Sequence, residues 1–138
     1  MRILPKPQYA ALYKQISPDY TGVLPQGFGD PLSGEAVVPK GASTTTRLHE
    51  LAHELYEHRS GSSTVDEFID KELDAEQFAR ESMSKRPDWK IGIIAANELV
   101  EDYNFRSHEA VLLVVSRLRT RNIPVSAKEV RSLERRIS

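Results

Sequence analysis

The 138-residue chain contains no cysteine. This excludes disulfides, thiol catalysis and cysteine-ligated zinc sites, and leaves histidine and carboxylates as the strong metal ligands. The chain also has no run of about 18 apolar residues, the length that a membrane-spanning helix needs. Its first residues, MRILPKPQYAALYKQ, lack the apolar region of a signal peptide. We therefore expect no membrane span, no signal-peptide secretion and a cytoplasmic location.

Positive and negative charges nearly cancel, leaving a net charge of −1, but they are unevenly distributed along the chain. Residues 117–138 contain seven basic residues against two acidic ones. Such a segment could bind nucleic acid or an acidic partner. A solvated helix with alternating charges is the interpretation that we favour. The apolar content of 39% is enough for one core, and the length predicts one domain or one domain with a small appendage.

Residues 43–58, STTTRLHELAHELYEH, contain the segment HELAH at residues 49–53. On an α-helix, with about 100° per residue, His49 and His53 lie about 40° apart and can reach one Zn²⁺ ion. Glu50 lies beside that face, where a general base acting on a metal-activated water must be. The alternative is that these residues fell at this spacing by chance on a solvated helix face.

The neighbouring residues favour this helix. Ser43, Thr44 or Thr45 can cap its N-terminus, and Gly61 is typical of a residue just beyond a helix end. Along the rest of the chain, the patterns predict a helix over 5–16, a loop over 17–34, a strand over 35–39, a loop over 59–64, and further helices over 65–86, 88–103, 107–121 (with Ser107 as N-cap) and from Ser126 to about 137. The fold class is therefore α+β and mostly helical.

The helix predicted over 65–86 supplies a third metal ligand. Its apolar positions project onto one face, and Glu72 lies in the middle of it, about 20° from Val65 and from Ala79. A carboxylate on a buried face is costly unless a cation pairs with it, and a zinc ion would do so. Glu76, about 40° away, could orient a metal-binding side chain without itself binding the metal. A lysine or arginine partner for Glu72 is the alternative.

Other candidate ligands fit less well. Asp74 projects about 160° from Glu72 and should face solvent. His58 points roughly opposite His49 and does not have the spacing of three-histidine sites. Glu54 and Glu57 lie nearer the solvated side of the first metal helix. Tyr56, about 20° from His49, and His108 and Tyr103, near a predicted turn, are candidates for stabilising a transition state, and the sequence does not choose among them.

HELAH followed by the segment ELDAEQFA (residues 72–79) resembles the ImmA/IrrE family of small metallopeptidases, which carry HExxH and an E-x-E-A-N/D-x-F-A-like stretch. More broadly it is similar to the gluzincins, whose third ligand is a downstream glutamate. Asp74 and Glu76 depart from the family pattern. The segment ANELVEDYNFRSHEAVLLVVSRLRTRNI is similar to the family's helix-turn-helix-like part, so the resemblance covers roughly residues 35–122.

We expect a minimal zincin-like core over residues 1–86, which includes an N-terminal loop-rich segment that the resemblance does not cover, followed by a C-terminal helical segment over 87–138 packed on it. The resemblance implies a zinc-dependent endopeptidase that cleaves a regulatory protein such as a transcriptional repressor. His49, His53 and Glu72 would hold Zn²⁺ and Glu50 would be the base. The alternative is a metal-containing module that regulates a partner protein or DNA without proteolysis.

Overall fold

The computed structural model describes residues 1–56, 62 and 64–137. Within these residues the chain is mostly helical with one small sheet, which confirms the α+β class. It divides into two compact units, Met1–Gly61 and Ser62–Ser138. The predicted division after residue 86 stays a prediction. In the described part of the chain, no helix has the length and apolar character required to cross a membrane.

The first unit contains a three-stranded sheet in the order β1–β3–β2. Its strands are β1 (Arg2–Leu4), β2 (Phe28–Gly29) and β3 (Ala36–Pro39). The central strand β3 runs parallel to β1 and antiparallel to β2, and Val37 is paired with Arg2 on one side and with Phe28 on the other. Residues 36–38 are all buried, because helices cover this strand. The strand predicted over 35–39 is confirmed, whereas β1 and β2 were not predicted.

Two helices of the first unit contact β3: α1 (Lys6–Ile16) and α2 (Thr44–Leu55). Helix α1 carries Tyr9 and Tyr13 toward Phe28, and each tyrosine ring lies 5.2 Å from the Phe28 ring. Helix α2 is capped by Ser43, whose hydroxyl accepts a hydrogen bond from the Thr46 backbone N–H at 3.1 Å. The predicted cap and helix are confirmed. Gly61 and His58 lie outside the described residues.

The second unit begins with α3 (Val65–Ser82), whose N-cap Thr64 accepts a hydrogen bond from the Glu67 N–H. The prediction that this helix continues to residue 86 is wrong. Ser84 takes a left-handed conformation with φ 58°, and the Lys85 N–H turns back to the Arg80 carbonyl at 2.8 Å. This reversal ends the helix before Pro87.

Four further helical segments complete the second unit: a 3₁₀ helix (Trp89–Gly92), α4 (Ile93–Tyr103), α5 (Ser107–Thr120) and α6 (Ala127–Arg135). The segment predicted as one helix over 88–103 therefore consists of a 3₁₀ helix followed by an α-helix. The N-cap of α5 is Arg106, one residue before the predicted Ser107. Ser126 caps α6 through a reciprocal capping box with Glu129, as its position predicted.

The core of the second unit is formed mainly by aliphatic residues from α3, α4 and α5. Its largest fully buried side chains are Ile69, Leu73, Ile91, Leu99, Val111, Val114, Leu118 and Leu133. The apolar run of α5 is thus largely used in packing. Burial in the core accounts for the run of valine and leucine in α5, and no surface role is needed to explain it.

Candidate metal centre

His49 and His53 lie one turn apart on α2, as the four-residue spacing predicts. His49 is only 5% exposed. The two Nε2 atoms are 3.0 Å apart, and the rings meet edge to face with centroids separated by 4.7 Å. Both rings therefore direct the same nitrogen toward a common point.

This geometry fits the ligands of a single metal ion. With Zn–N bonds of about 2.0–2.1 Å and tetrahedral angles, two histidine nitrogens on one zinc ion lie roughly 3.3 Å apart. The observed 3.0 Å separation needs only a small adjustment to reach that spacing. Two neutral imidazoles can instead share one proton, so the pair needs a further ligand to define a site.

The carboxylates predicted to complete the site lie on α3 in the second unit. Glu72 is 8% exposed and Glu76 is 5% exposed. Ile69, Ala75 and Ala79 on the same helix are fully buried, as the projection of an apolar face predicted. Burial of a carboxylate is costly without a cation or several hydrogen-bond donors.

Three of these side chains form a possible ligand group. His49, His53 and Glu72 are buried or half-buried and could hold a metal ion. Two imidazole nitrogens and one carboxylate oxygen are a donor set that zinc accepts in catalytic sites. Imidazole nitrogens also bind copper and nickel, so this donor set fits several transition metals.

Asp74, the nearest alternative ligand in sequence, has a different partner. Its carboxylate lies 2.7 Å from Arg121, the C-cap of α5, and is partly exposed. The sequence expectation that Asp74 points away from the Glu72 face agrees with this ion pair. Glu54 also has an ionic partner, since its carboxylate lies 2.9 Å from the N-terminal amine.

Glu50 is half-buried on α2 and packs against the backbone at Gly27. A Cβ atom added to Gly27 would lie 2.6 Å from Cδ and 2.8 Å from Oε1 of Glu50, and closer still to Cγ. Tyr9 is in the same environment: burial raises the pKa of its phenol, and the charge of Glu50 raises it further. The carboxylate therefore lies close to Gly27, in the segment before β2, and its charge acts on Tyr9 of α1.

The three candidates for transition-state stabilisation have different surroundings. Tyr56 is the C-cap of α2 and is 50% exposed. The His108 side chain is 69% exposed, and its Nδ1 lies 3.8 Å from Glu134. The Tyr103 ring packs 5.0 Å from Phe68, one helical turn before Glu72.

The pKa of Tyr103 supports its placement beside the carboxylates. Burial raises this pKa most, and the charges of Glu98, Asp102 and Glu72 raise it further. Within the second unit, Tyr103 is thus the candidate near Glu72, whereas His108 faces Glu134. The sequence alone could not separate the two, because both flank the same turn.

The contact of Gly27 with Glu50 was not predicted. The sequence marked Gly27 only as one of several glycines and prolines that interrupt regular structure over residues 17–34. The position of such a segment depends on tertiary contacts, so residue spacing gave no signal for it.

Comparisons with known proteins add no family assignment: no family model matches the chain, and neither the curated proteins nor the solved structures include a significant match. The candidate site is therefore defined by its own residues.

Proposed function

We propose that this protein is a zinc-dependent endopeptidase whose metal is held by His49, His53 and Glu72. The observation that carries the proposal is the 3.0 Å approach of the two histidine Nε2 atoms within an HExxH helix. The burial of Glu72 on an apolar helix face supports it. Three protein ligands leave a fourth tetrahedral position for substrate chemistry, as in catalytic zinc sites.

A zinc ion bound there would supply Lewis acidity to a water molecule and to a peptide carbonyl. Glu50 would accept the proton of the attacking water and then deliver it to the leaving amine. Its position one residue after His49 places it beside the ligand face and not on it.

The substrate class in this proposal is a regulatory protein such as a transcriptional repressor, in the cytoplasm. It derives from the resemblance of HELAH and of residues 72–79 to the ImmA/IrrE metallopeptidases. A small peptidase has few walls with which to build a specificity pocket. We therefore expect it to recognise a folded partner over a docking surface as well as the cleaved peptide.

The non-proteolytic alternative relied on the basic C-terminal segment. Arg117 donates to Asp70 at 2.7 Å, and Arg119 donates to the Val125 carbonyl at 2.9 Å. Arg121 forms an ion pair with Asp74 at 2.7 Å. These contacts occupy the three arginines at the end of α5 that could otherwise bind DNA phosphates, which supports the endopeptidase over a DNA-binding module.

The test of the proposal compares the unmodified protein with Glu50→Gln. Both proteins are loaded with zinc and incubated with a mixture of denatured proteins and candidate repressors. New peptide termini are then identified by mass spectrometry. We expect cleavage only by the unmodified protein, with equal zinc content in both, because glutamine keeps the shape but cannot accept the proton.

Glu109→Gln is the matched control, because Glu109 is exposed on α5 and its substitution removes the same charge. It should cleave as the unmodified protein does. Equal cleavage by the Glu50→Gln protein would show that Glu50 is not the base. Absence of cleavage by every zinc-loaded protein would contradict the endopeptidase proposal.

A further inference from the structure

Gly27 lies where no larger residue fits without moving Glu50. The three atoms nearest to a Cβ built at this position are Cγ, Cδ and Oε1 of Glu50. Approaches below 3.0 Å of this kind require something to shift. The backbone at Gly27 is outside the left-handed region, so a side chain there would be opposed by crowding and not by backbone strain.

The segment around Gly27 is held in place from both sides. The Tyr9 hydroxyl donates a hydrogen bond to the Pro25 carbonyl, and the Tyr9 and Tyr13 rings pack on Phe28. Phe28 also pairs with Val37 of the central strand. The segment can therefore not easily move away from Glu50, and a new side chain at Gly27 would displace the carboxylate.

We propose that Gly27 is a positioning residue for Glu50: the backbone at this position closes on the Glu50 side chain and fixes the carboxylate in its rotamer. This inference rests on the proposed function for its catalytic consequence. The contact itself lies entirely within the first unit and can be tested without any substrate.

Gly29 provides the matched control. It lies two residues further along the same segment, its backbone is likewise outside the left-handed region, and a Cβ atom added there meets nothing within 4 Å. Gly27→Ala and Gly29→Ala therefore remove the same amount of backbone freedom. Only the first places a methyl group against Glu50.

The first experiment measures peptide cleavage by zinc-loaded Gly27→Ala and Gly29→Ala proteins. We expect kcat of Gly27→Ala to fall on the order of 10²-fold, because a shift of about 1 Å in a reacting group has an effect of that size. Zinc content and KM should stay near those of the unmodified protein. Gly29→Ala should keep its kcat. An unchanged kcat in Gly27→Ala would overturn the proposal.

The second experiment is a double-mutant cycle on thermal stability, with Glu50→Ala as the partner. Glu50→Ala removes all three crowded atoms. Overpacking by Gly27→Ala should lower the melting temperature by roughly 4–10 °C in the unmodified background. It should lower it by less than half of that in the Glu50→Ala background. An equal decrease in both backgrounds would show that Gly27 does not fix Glu50.

The two experiments separate the two claims. If no protein cleaves any peptide, the proposed function is overturned, while the thermal cycle still decides whether Gly27 positions Glu50. If the unmodified protein cleaves and the thermal cycle shows no coupling, the endopeptidase proposal stands and the role of Gly27 is overturned.

Discussion

Buried ionisable side chains distinguish this molecule at the residue scale. Glu72, Glu76 and His49 are nearly inaccessible, as is Asp30 in the first unit. A buried charge needs a partner, and Asp30 shows how the chain supplies one. Its carboxylate lies 2.9 Å from Arg2 and accepts a hydrogen bond from the Leu32 N–H at 2.9 Å.

Asp30 leads to a pH-dependent prediction. The hydrogen bond from the Leu32 backbone lowers the pKa of Asp30, and Ser33 and Arg2 lower it further against the opposing effect of burial. A lowered folded-state pKa means that the ionised group stabilises the fold above its unfolded pKa of about 3.9, and that this contribution is lost as the pH falls through the folded value. Asp30→Asn should therefore melt below the unmodified protein at pH 7.

The difference between the two melting temperatures should narrow as the pH falls below about 4, because the unmodified Asp30 then becomes protonated. Thermal unfolding followed by circular dichroism from pH 3 to pH 7 measures it. Asp19→Asn, at an exposed position, is the control and should follow the unmodified protein. A difference that stays constant across this range would contradict the assigned role of the Asp30 charge.

At the element scale, regular helices were predictable and short elements were not. Helices α1, α2 and α5 follow their apolar periods closely, since each buries one face of a helix. Strands β1 and β2 contain only three and two residues, too few for an alternating pattern to appear. The sequence pattern therefore predicted the central strand but not the two strands paired with it.

The two parts of the helix predicted over 88–103 meet at Gly92, which lies close to α5. Gly92 ends the 3₁₀ helix against α5, where an added Cβ would lie 2.5 Å from Val114 Cγ1 and 3.3 Å from Leu118 Cδ1. The periodicity of residues 88–103 indicates a helix but does not indicate how closely α5 packs against that helix. This distance is a property of the packed unit.

Gly92→Ala should therefore destabilise the second unit even though alanine favours helices. Overpacking at a buried position costs about 1–3 kcal/mol, against a gain of roughly 1 kcal/mol at most from helix propensity. Chemical denaturation followed by circular dichroism measures the free energy of unfolding. Combining Gly92→Ala with Val114→Ala should cost less than the sum of the two changes. Full additivity would show that the two residues do not compete for the same space.

The candidate site itself was largely predictable. Two histidines four residues apart on a helix, and a glutamate at the centre of an apolar face, are patterns set by helical geometry. The contact between Gly27 and Glu50 was not predictable, because it depends on how residues 25–28 approach α2 after a loop of glycines and prolines. Spacing determines which side chains share a helix face, whereas loop contacts determine how each one is held.

At the scale of the whole molecule, the basic C-terminal segment is balanced by acidic residues of α3. Arg117 contacts Asp70, and Arg121 contacts both Asp70 and Asp74. The excess of positive charge that the sequence shows over residues 117–138 is thus partly neutralised within the second unit. Net charge along a chain does not report charge on a surface until the ion pairs are known.

A metal held by His49, His53 and Glu72 should stabilise the folded protein, because the unfolded chain does not present these ligands together. Zinc at about 100 times its dissociation constant adds roughly 2.7 kcal/mol. We therefore expect zinc to raise the melting temperature of the unmodified protein and a chelator to reverse the increase. His53→Ala should lose this response, and an equal increase in that variant would point to zinc binding elsewhere.

The most direct test of the central claim is the zinc content of the purified protein after dialysis, measured by mass spectrometry of the metal. We expect one zinc ion per chain in the unmodified protein and in Asp74→Asn, whose carboxylate pairs with Arg121 in the native protein. We expect loss of zinc in His49→Ala and in Glu72→Gln. Retention of a full zinc ion by both of these variants would contradict the assignment of the metal site.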